Sequence, residues 1–164
     1  MANKEINKTS ILFVCLGNIC RSPAGEEVMK QILISHKRID DFVVDSCGIG
    51  GWHIGHLPDK RMIMLGKKRG YNFTHLARQL TREDFVKFDF ILGMDDEIMT
   101  ILYSKAQTKE EKDKIIPLGQ YITKFDKQSE IPDPYYGKEE DFIFALDLLE
   151  NACEEFYNKV LKQK

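Results

Sequence analysis

Strand-type and helix-type signals alternate along this 164-residue chain. That alternation predicts an α/β fold, a single domain with a four-stranded parallel sheet, helices on both faces and a phosphate-binding loop after the first strand. Two further observations point the same way. The apolar runs at 11–14 and 90–92 are continuous rather than alternating, as expected of strands buried on both faces. No linker, repeat or low-complexity tract divides the chain, so residues 1–164 are expected to form one domain.

The first strand, at about 11–15, is β-branched and aromatic and leads directly into a helix that runs to about residue 36. Ser22 reads as its N-cap and Pro23 as its first helical position, with Glu26 and Glu27 in the first turn, where the helix dipole favours acids. Val28, Ile32 and Leu33 lie on one side of it. Residues 42–45 read as a second strand. Pro58 opens a helix to about Lys68, with Met62, Ile63 and Leu65 apolar and Gly70 as its stop. A third strand is expected at 90–92, followed by a helix capped by Asp95 or Asp96. Ile115, Ile116 and Leu118 read as a fourth strand, and the charged stretch 108–114 before it as a solvated excursion. The last helix, about 139–162, places Phe142, Leu146, Leu149, Cys153, Phe156 and Val160 at spacings of four and three, an apolar stripe facing a core.

Composition excludes several classes. A net charge of −2 gives no pull towards nucleic acid or an anionic membrane, and neither is expected as a partner. Residues 1–10 are polar, without a signal-like apolar stretch, and no run reaches transmembrane length. Four cysteines, at 15, 20, 47 and 153, make no dense disulfide framework, and Cys15-x4-Cys20 lacks a second ligand pair, so no metal is expected. These features describe a reduced cytoplasmic protein.

Two stretches carry chemistry. In Cys15-Leu16-Gly17-Asn18-Ile19-Cys20-Arg21-Ser22 a strand ends on a thiol, and five residues later a guanidinium precedes a helix start. Gly17 and Asn18 tolerate left-handed backbone, so the loop between can turn its N–H groups inward as an anion nest. A helix start and an adjacent arginine both favour the thiolate, the nucleophilic form of cysteine. Ligands in such folds sit beyond the C-terminal ends of the strands, where Cys15 lies. Taken alone, Cys15 could equally be a small core residue; its neighbours favour catalysis.

The second stretch is Pro132-Asp133-Pro134-Tyr135-Tyr136-Gly137. One reading is a rigid turn whose Asp133 bonds its own backbone. The other is a general acid on a stiff loop, protonating a departing aryloxide and then taking a proton from water, with the tyrosines as an aromatic wall.

Together the two stretches resemble the low-molecular-weight protein tyrosine phosphatase family, and the likeness extends through Asp45-Ser46, Trp52, Pro58-Asp59, 74–78, Asp84-Phe85 and Met94-Asp95. The resemblance implies hydrolysis of phosphotyrosine and other aryl phosphates, with phosphotyrosine-containing proteins as partners, inorganic phosphate as product and no cofactor. It implies Cys15 as nucleophile, Arg21 as the clamp on phosphoryl oxygens and Asp133 as acid and base. Leu16, Gly17, Asn18, Ile19, Cys20 and Ser22 would bind phosphate, with Ser22 also assisting the thiolate as leaving group. Trp52, Tyr135 and Tyr136 would wall the crevice; Asn18, Ser22, Ser46 and His75 would form a network that holds the loop in its strained shape, and Asp95, near the site, would influence Asp133 or support the loop. Without the resemblance His75 would be only a lone histidine. The resemblance further implies a reversible Cys15–Cys20 disulfide. Related enzymes that favour phosphoarginine carry threonine where Ile19 stands, so an apolar side chain there favours a phenyl ring.

Two rivals remain at this level. An arsenate reductase on the same fold would need relay cysteines, and residues 76–100 contain none. A non-catalytic phosphoanion-binding module would have no use for both Cys15 and Asp133.

Overall fold

The computed structural model describes residues 8–164, so the amino-terminal end of the expected domain and most of the polar 1–10 stretch lie outside the described residues. Four strands, β1 (Thr9–Cys15), β2 (Phe42–Gly48), β3 (Phe90–Gly93) and β4 (Ile115–Pro117), form one sheet in the order β2-β1-β3-β4. Every pairing is parallel, with Cys15 opposite Gly48 and Val14 opposite Gly93. β1 is therefore central, and its C-terminal end opens at the middle of the sheet edge.

Side chains alternate across β1 and divide the core in two. Ile11 and Phe13 join Val28, Met29 and Leu33 of α1 (Arg21–Ser35) and Phe142, Leu146, Leu149, Cys153 and Phe156 of α6 (Glu139–Phe156). Leu12 and Val14 face the other way, onto Phe85 of α3 (Asp84–Lys87) and Ile98, Met99 and Leu102 of α4 (Asp96–Lys105). Each such fully buried side chain contributes about 1.5–3 kcal/mol. The α6 stripe expected from its spacing is buried except for Val160, which is partly covered. The helix loosens after Phe156 into a wider turn over Tyr157–Leu161.

Several boundaries differ from expectation. Helix α1 begins at Arg21, one residue before the expected cap, and Cys20 flanks it without a side-chain cap. Ser22 is inside the helix with its hydroxyl committed elsewhere, and Glu26 and Glu27 fall beyond the first turn. Helix α2 (Lys60–Lys68) is capped by Asp59, which accepts from the Arg61 N–H at 2.9 Å, rather than opened by Pro58. Its stop is as expected, with Gly70 at φ +86° just past the end. Asp95 caps α4, accepting from Ile98 N–H at 2.9 Å. The 108–114 stretch is an ordered helix, α5 (Lys109–Asp113), because Thr108 and Glu111 form a capping box and Glu111 is buried against Arg82. β4 stops at Pro117, which has no N–H to extend a ladder, so Leu118 begins a tight turn instead.

Candidate active site

Cys15 ends β1 and is 3% exposed at the floor of a crevice of about 350 Å³. Leu16, Gly17, Ile19, Cys20 and Arg21 line its base; Trp52, His53, Asp133, Tyr135 and Tyr136 line its walls. The two distant stretches of sequence thus meet in one cavity.

The base is shaped by where the loop carbonyls go. Cys15 C=O accepts from Ile49 N–H at 2.9 Å, Leu16 C=O from Gly50 N–H at 2.9 Å, and Ile19 C=O from Asp59 N–H at 2.8 Å. With these carbonyls anchored outward, no acceptor among the described residues takes the N–H groups of residues 16–20. Backbone donors left unpaired at a helix N-terminus are an anion site. Asn18 makes the turn at φ +58°, a conformation Asn tolerates. Gly17 does not have a positive φ; a Cβ there would lie 3.2 Å from the His53 ring. Gly48 matters for the same kind of reason, since a Cβ would sit 2.9 Å from the backbone of residues 16–18.

Asn18 is wholly buried and uses its entire amide. Its Nδ2 donates to Ser22 Oγ at 2.8 Å and Ser46 Oγ at 3.0 Å, while Oδ1 accepts from Arg78 N–H at 2.9 Å and faces His75 Nε2 at 2.9 Å. Ser46 in turn donates to Glu26 Oε1 at 2.7 Å, and His75 Nδ1 lies 3.1 Å from that same oxygen. Ser22 Oγ lies 2.9 Å from Cys15 Sγ. Asn18, Ser22, Ser46 and His75 are therefore one network, as the resemblance implies. Glu26 is its unanticipated hub: read from sequence as a dipole-favoured acid, it is 5% exposed. Burial opposes its charge, but hydrogen bonds from His75 and Lys30 outweigh this and hold its carboxyl below the ordinary range. Glu26, Asp45 and His75 are also the candidate metal-binding triad among the described residues. Their polar atoms are already engaged with Ser46, Lys30, Arg78 and Asn18.

Arg21 is 2% exposed. Its Nη1 donates to Asp95 Oδ2 at 2.6 Å and to Ile131 C=O at 2.9 Å, fixing one side of the fork. Nη2 lies 3.6 Å from Asp133 Oδ2, and Nε is buried without a partner. Burial works against the charge, yet Cys15, Asp95 and Asp133 more than restore it, so Arg21 titrates above its usual range. An orphaned Nε beside a lightly engaged Nη2 is the edge with which arginine grips two oxygens of an oxyanion. Asp95, expected only near the site, is the residue that turns this edge.

Asp133 is exposed at the rim. Its Oδ1 accepts from Tyr135 N–H at 3.1 Å, so the self-bonded turn is real, while Oδ2 is the oxygen turned towards Arg21. Tyr136 is 95% and Trp52 67% exposed, and both line the crevice. His53 also lines the crevice and has no signal in the sequence, since a lone histidine in a loop carries no pattern. Cys20 is buried; burial first, then the Asp59 carboxylate, pushes its thiol well above its ordinary range, and burial does the same to Cys47 and Cys153. All four cysteines are free thiols.

The arrangement can bind a dianionic phosphoryl group, present a sulfur to it and offer a carboxyl to the leaving oxygen. Residues 10–164 match the family described as low molecular weight phosphotyrosine protein phosphatase. A Sus scrofa protein of that name is 41% identical over 152 residues, covering 92% of this chain and 95% of the relative. A protein tyrosine phosphatase from Entamoeba histolytica, solved with Hepes in its active site, superposes with a TM-score of 0.91 at 39% identity, covering 95% and 99% of the two chains. A Drosophila arginine phosphatase superposes with a TM-score of 0.84 at 34% identity, covering 90% and 95%. Among the described residues, no helix is long and apolar enough to cross a membrane.

Proposed function

Because this chain belongs to the low molecular weight phosphotyrosine protein phosphatases and so hydrolyses phosphotyrosine, we propose that it acts through two in-line displacements at phosphorus. Cys15 Sγ attacks as thiolate while Asp133 gives its proton to the departing phenolic oxygen, leaving a phosphocysteine. Asp133, now a carboxylate, takes a proton from water, whose oxygen attacks phosphorus and expels the Cys15 thiolate with inorganic phosphate. Ser22 Oγ, 2.9 Å from the sulfur, stabilises the thiolate as it forms and leaves. The unpaired N–H groups of residues 16–20 and the Nε–Nη2 edge of Arg21 carry the charge spread over the equatorial oxygens, so no metal is required.

One observation carries this reading. Cys15, Arg21 and Asp133 share a crevice whose base is a ring of unpaired donors. Aryl phosphate is the substrate class: apolar Leu16 and Ile19 with Trp52, Tyr135 and Tyr136 suit a flat ring better than a charged guanidino group. The whole of 1–164 acts as one catalytic domain, in a reducing, cytoplasmic setting where the thiols stay free.

The deciding assay is p-nitrophenyl phosphate hydrolysis in the presence of a chelator, with ³²P-labelled ester and a rapid alkaline quench to trap phosphate on Cys15. Full activity and label on the sulfur are expected. Loss of activity to the chelator, or label that persists in Cys15→Ser, would refute the mechanism. Redox control belongs to the same reading. Peroxide oxidises Cys15 to a sulfenic acid with release of water, and the Cys20 thiol condenses with it, releasing a second water and forming a disulfide. Thiol should then restore wild type fully and Cys20→Ser poorly, because its sulfenic acid is left open to irreversible oxidation; equal recovery would remove the idea.

A further inference from the structure

Between 131 and 137 the rim loop that carries Asp133 is buried only at Ile131 and Pro134, yet its carboxyl must meet a leaving oxygen in a set geometry. A short chain of contacts supplies the missing restraint. Asp59 N–H donates to Ile19 C=O at 2.8 Å, tying the start of α2 to the phosphate loop. The Asp59 carboxylate grips Arg61 on two sides, Oδ1 accepting from Nε at 3.0 Å and Oδ2 from Nη2 at 2.9 Å. Arg61 then reaches across the crevice edge, Nη2 donating to Tyr135 C=O at 2.9 Å and Nη1 to Gly137 C=O at 3.4 Å. Its guanidinium carbon lies 4.3 Å from the centre of the Phe142 ring and 5.9 Å from that of Tyr135. The Tyr135 residue closes the chain: its C=O is held by Arg61 and its N–H donates to Asp133 Oδ1.

We propose that Arg61, oriented by Asp59, is a positioning residue that sets the distance between the phosphate loop and the Asp133 carboxyl. The assignment rests on Asp133 being the general acid. Arginine suits the task because its rigid fork can take a carboxylate on one edge and two carbonyls on the other while stacking on a ring. Asp59 neutralises it, so the strut adds little net charge beside the phosphate site. Arg61 side-chain exposure is 41%, and its hydrogen bonds run to Asp59 and the Asp133 loop while its guanidinium rests on the core ring of Phe142.

The test uses Arg61→Met, which keeps the stem and removes every donor, and Arg61→Lys. kcat/KM is measured with phenyl phosphate, whose leaving group needs a proton, and with p-nitrophenyl phosphate, whose leaving group needs one far less. Arg61→Met should lose about tenfold on the first and about twofold on the second, a fraction of a full general-acid effect. Inhibition by inorganic phosphate should move by less than about twofold, and Arg61→Lys should recover part of the loss. In an Asp133→Ala background, Arg61→Met should cost less than about twofold, since the two act as one unit. Equal losses on both esters, a weakened phosphate affinity that accounts for the loss, or additivity with Asp133→Ala would overturn the strut. So would unfolding of both variants at assay temperature, which would make Arg61 a stability residue. If Asp133→Ala alone discriminates the two esters and Arg61→Met does not, only the strut fails; if neither does, the acid assignment fails.

Discussion

The floor and the rim of the crevice are built on opposite plans. At the floor, Asn18, Ser22 and Ser46 are wholly buried and joined through β2, α1 and the 75–78 segment by side-chain hydrogen bonds of 2.7–3.0 Å. At the rim, Asp133 and Tyr136 stand in solvent, and the loop is held by two prolines, two local bonds, the anchoring of Ile131 and the reach of Arg61. Binding an anion on backbone donors requires a cup that does not relax. Delivering a proton and admitting a ring require a carboxyl that is reachable. The difference teaches that the phosphate is recognised by a preorganised floor and the ester by an accessible wall.

Substitutions should separate the two plans, beginning with the largest effect. Asp133→Ala should slow aryl phosphate cleavage by about 10²–10⁴-fold while leaving the floor able to bind phosphate. Steady-state rates with phosphate inhibition check this, and full activity would remove the acid assignment. Asn18→Ala breaks the floor itself. It strands the Arg78 N–H and takes one donor from each of two serine hydroxyls, so it should cost about 1–3 kcal/mol of stability and weaken phosphate binding together, read by urea melts with and without phosphate. A stable Asn18→Ala with unaltered phosphate affinity would mean the cup does not need its network.

Acid should loosen the floor selectively through Glu26. Its folded carboxyl titrates below the unfolded value of about 4.3, so its contribution is present above that pH and is lost as pH falls through the lower, folded value. Urea melts from neutral to acid pH should show wild type and Glu26→Gln converging at the acid end. A gap between them that stays constant with pH would count against the assignment. Least of all, Tyr136→Ala at the outer lip should change stability by no more than about 0.5 kcal/mol and act on KM rather than kcat. A large fall in kcat would mean that Tyr136 does more than line the rim.

How much of this was legible in the sequence depended on whether a residue's partner was local. The left-handed turn at Asn18, an aspartate cap on α4 (Asp95, of the two candidates) and Gly70 as a stop follow from short-range patterns and are found in the structure. Ser22 shows the limit. Its residue type and place before Pro23 are those of a helix cap, but Cys15 and Asn18 compete for its hydroxyl and the helix starts a residue earlier. Stretch 108–114 is mostly solvated, as its charge suggests, but Arg82, distant in sequence, buries Glu111 and the capping box orders the stretch as a helix.

By itself the sequence determined the parallel α/β scaffold, the thiol at the end of the central strand and the arginine that follows it, since periodicity and loop chemistry are written in neighbouring residues. Only the tertiary structure decided that Glu26 is a buried hub, that Asp95 turns Arg21, that His53 joins the wall and that Arg61 spans two loops. The reason is physical: burial and hydrogen-bond geometry belong to pairs of residues that the chain brings together across tens of positions, and a residue's own identity does not contain them.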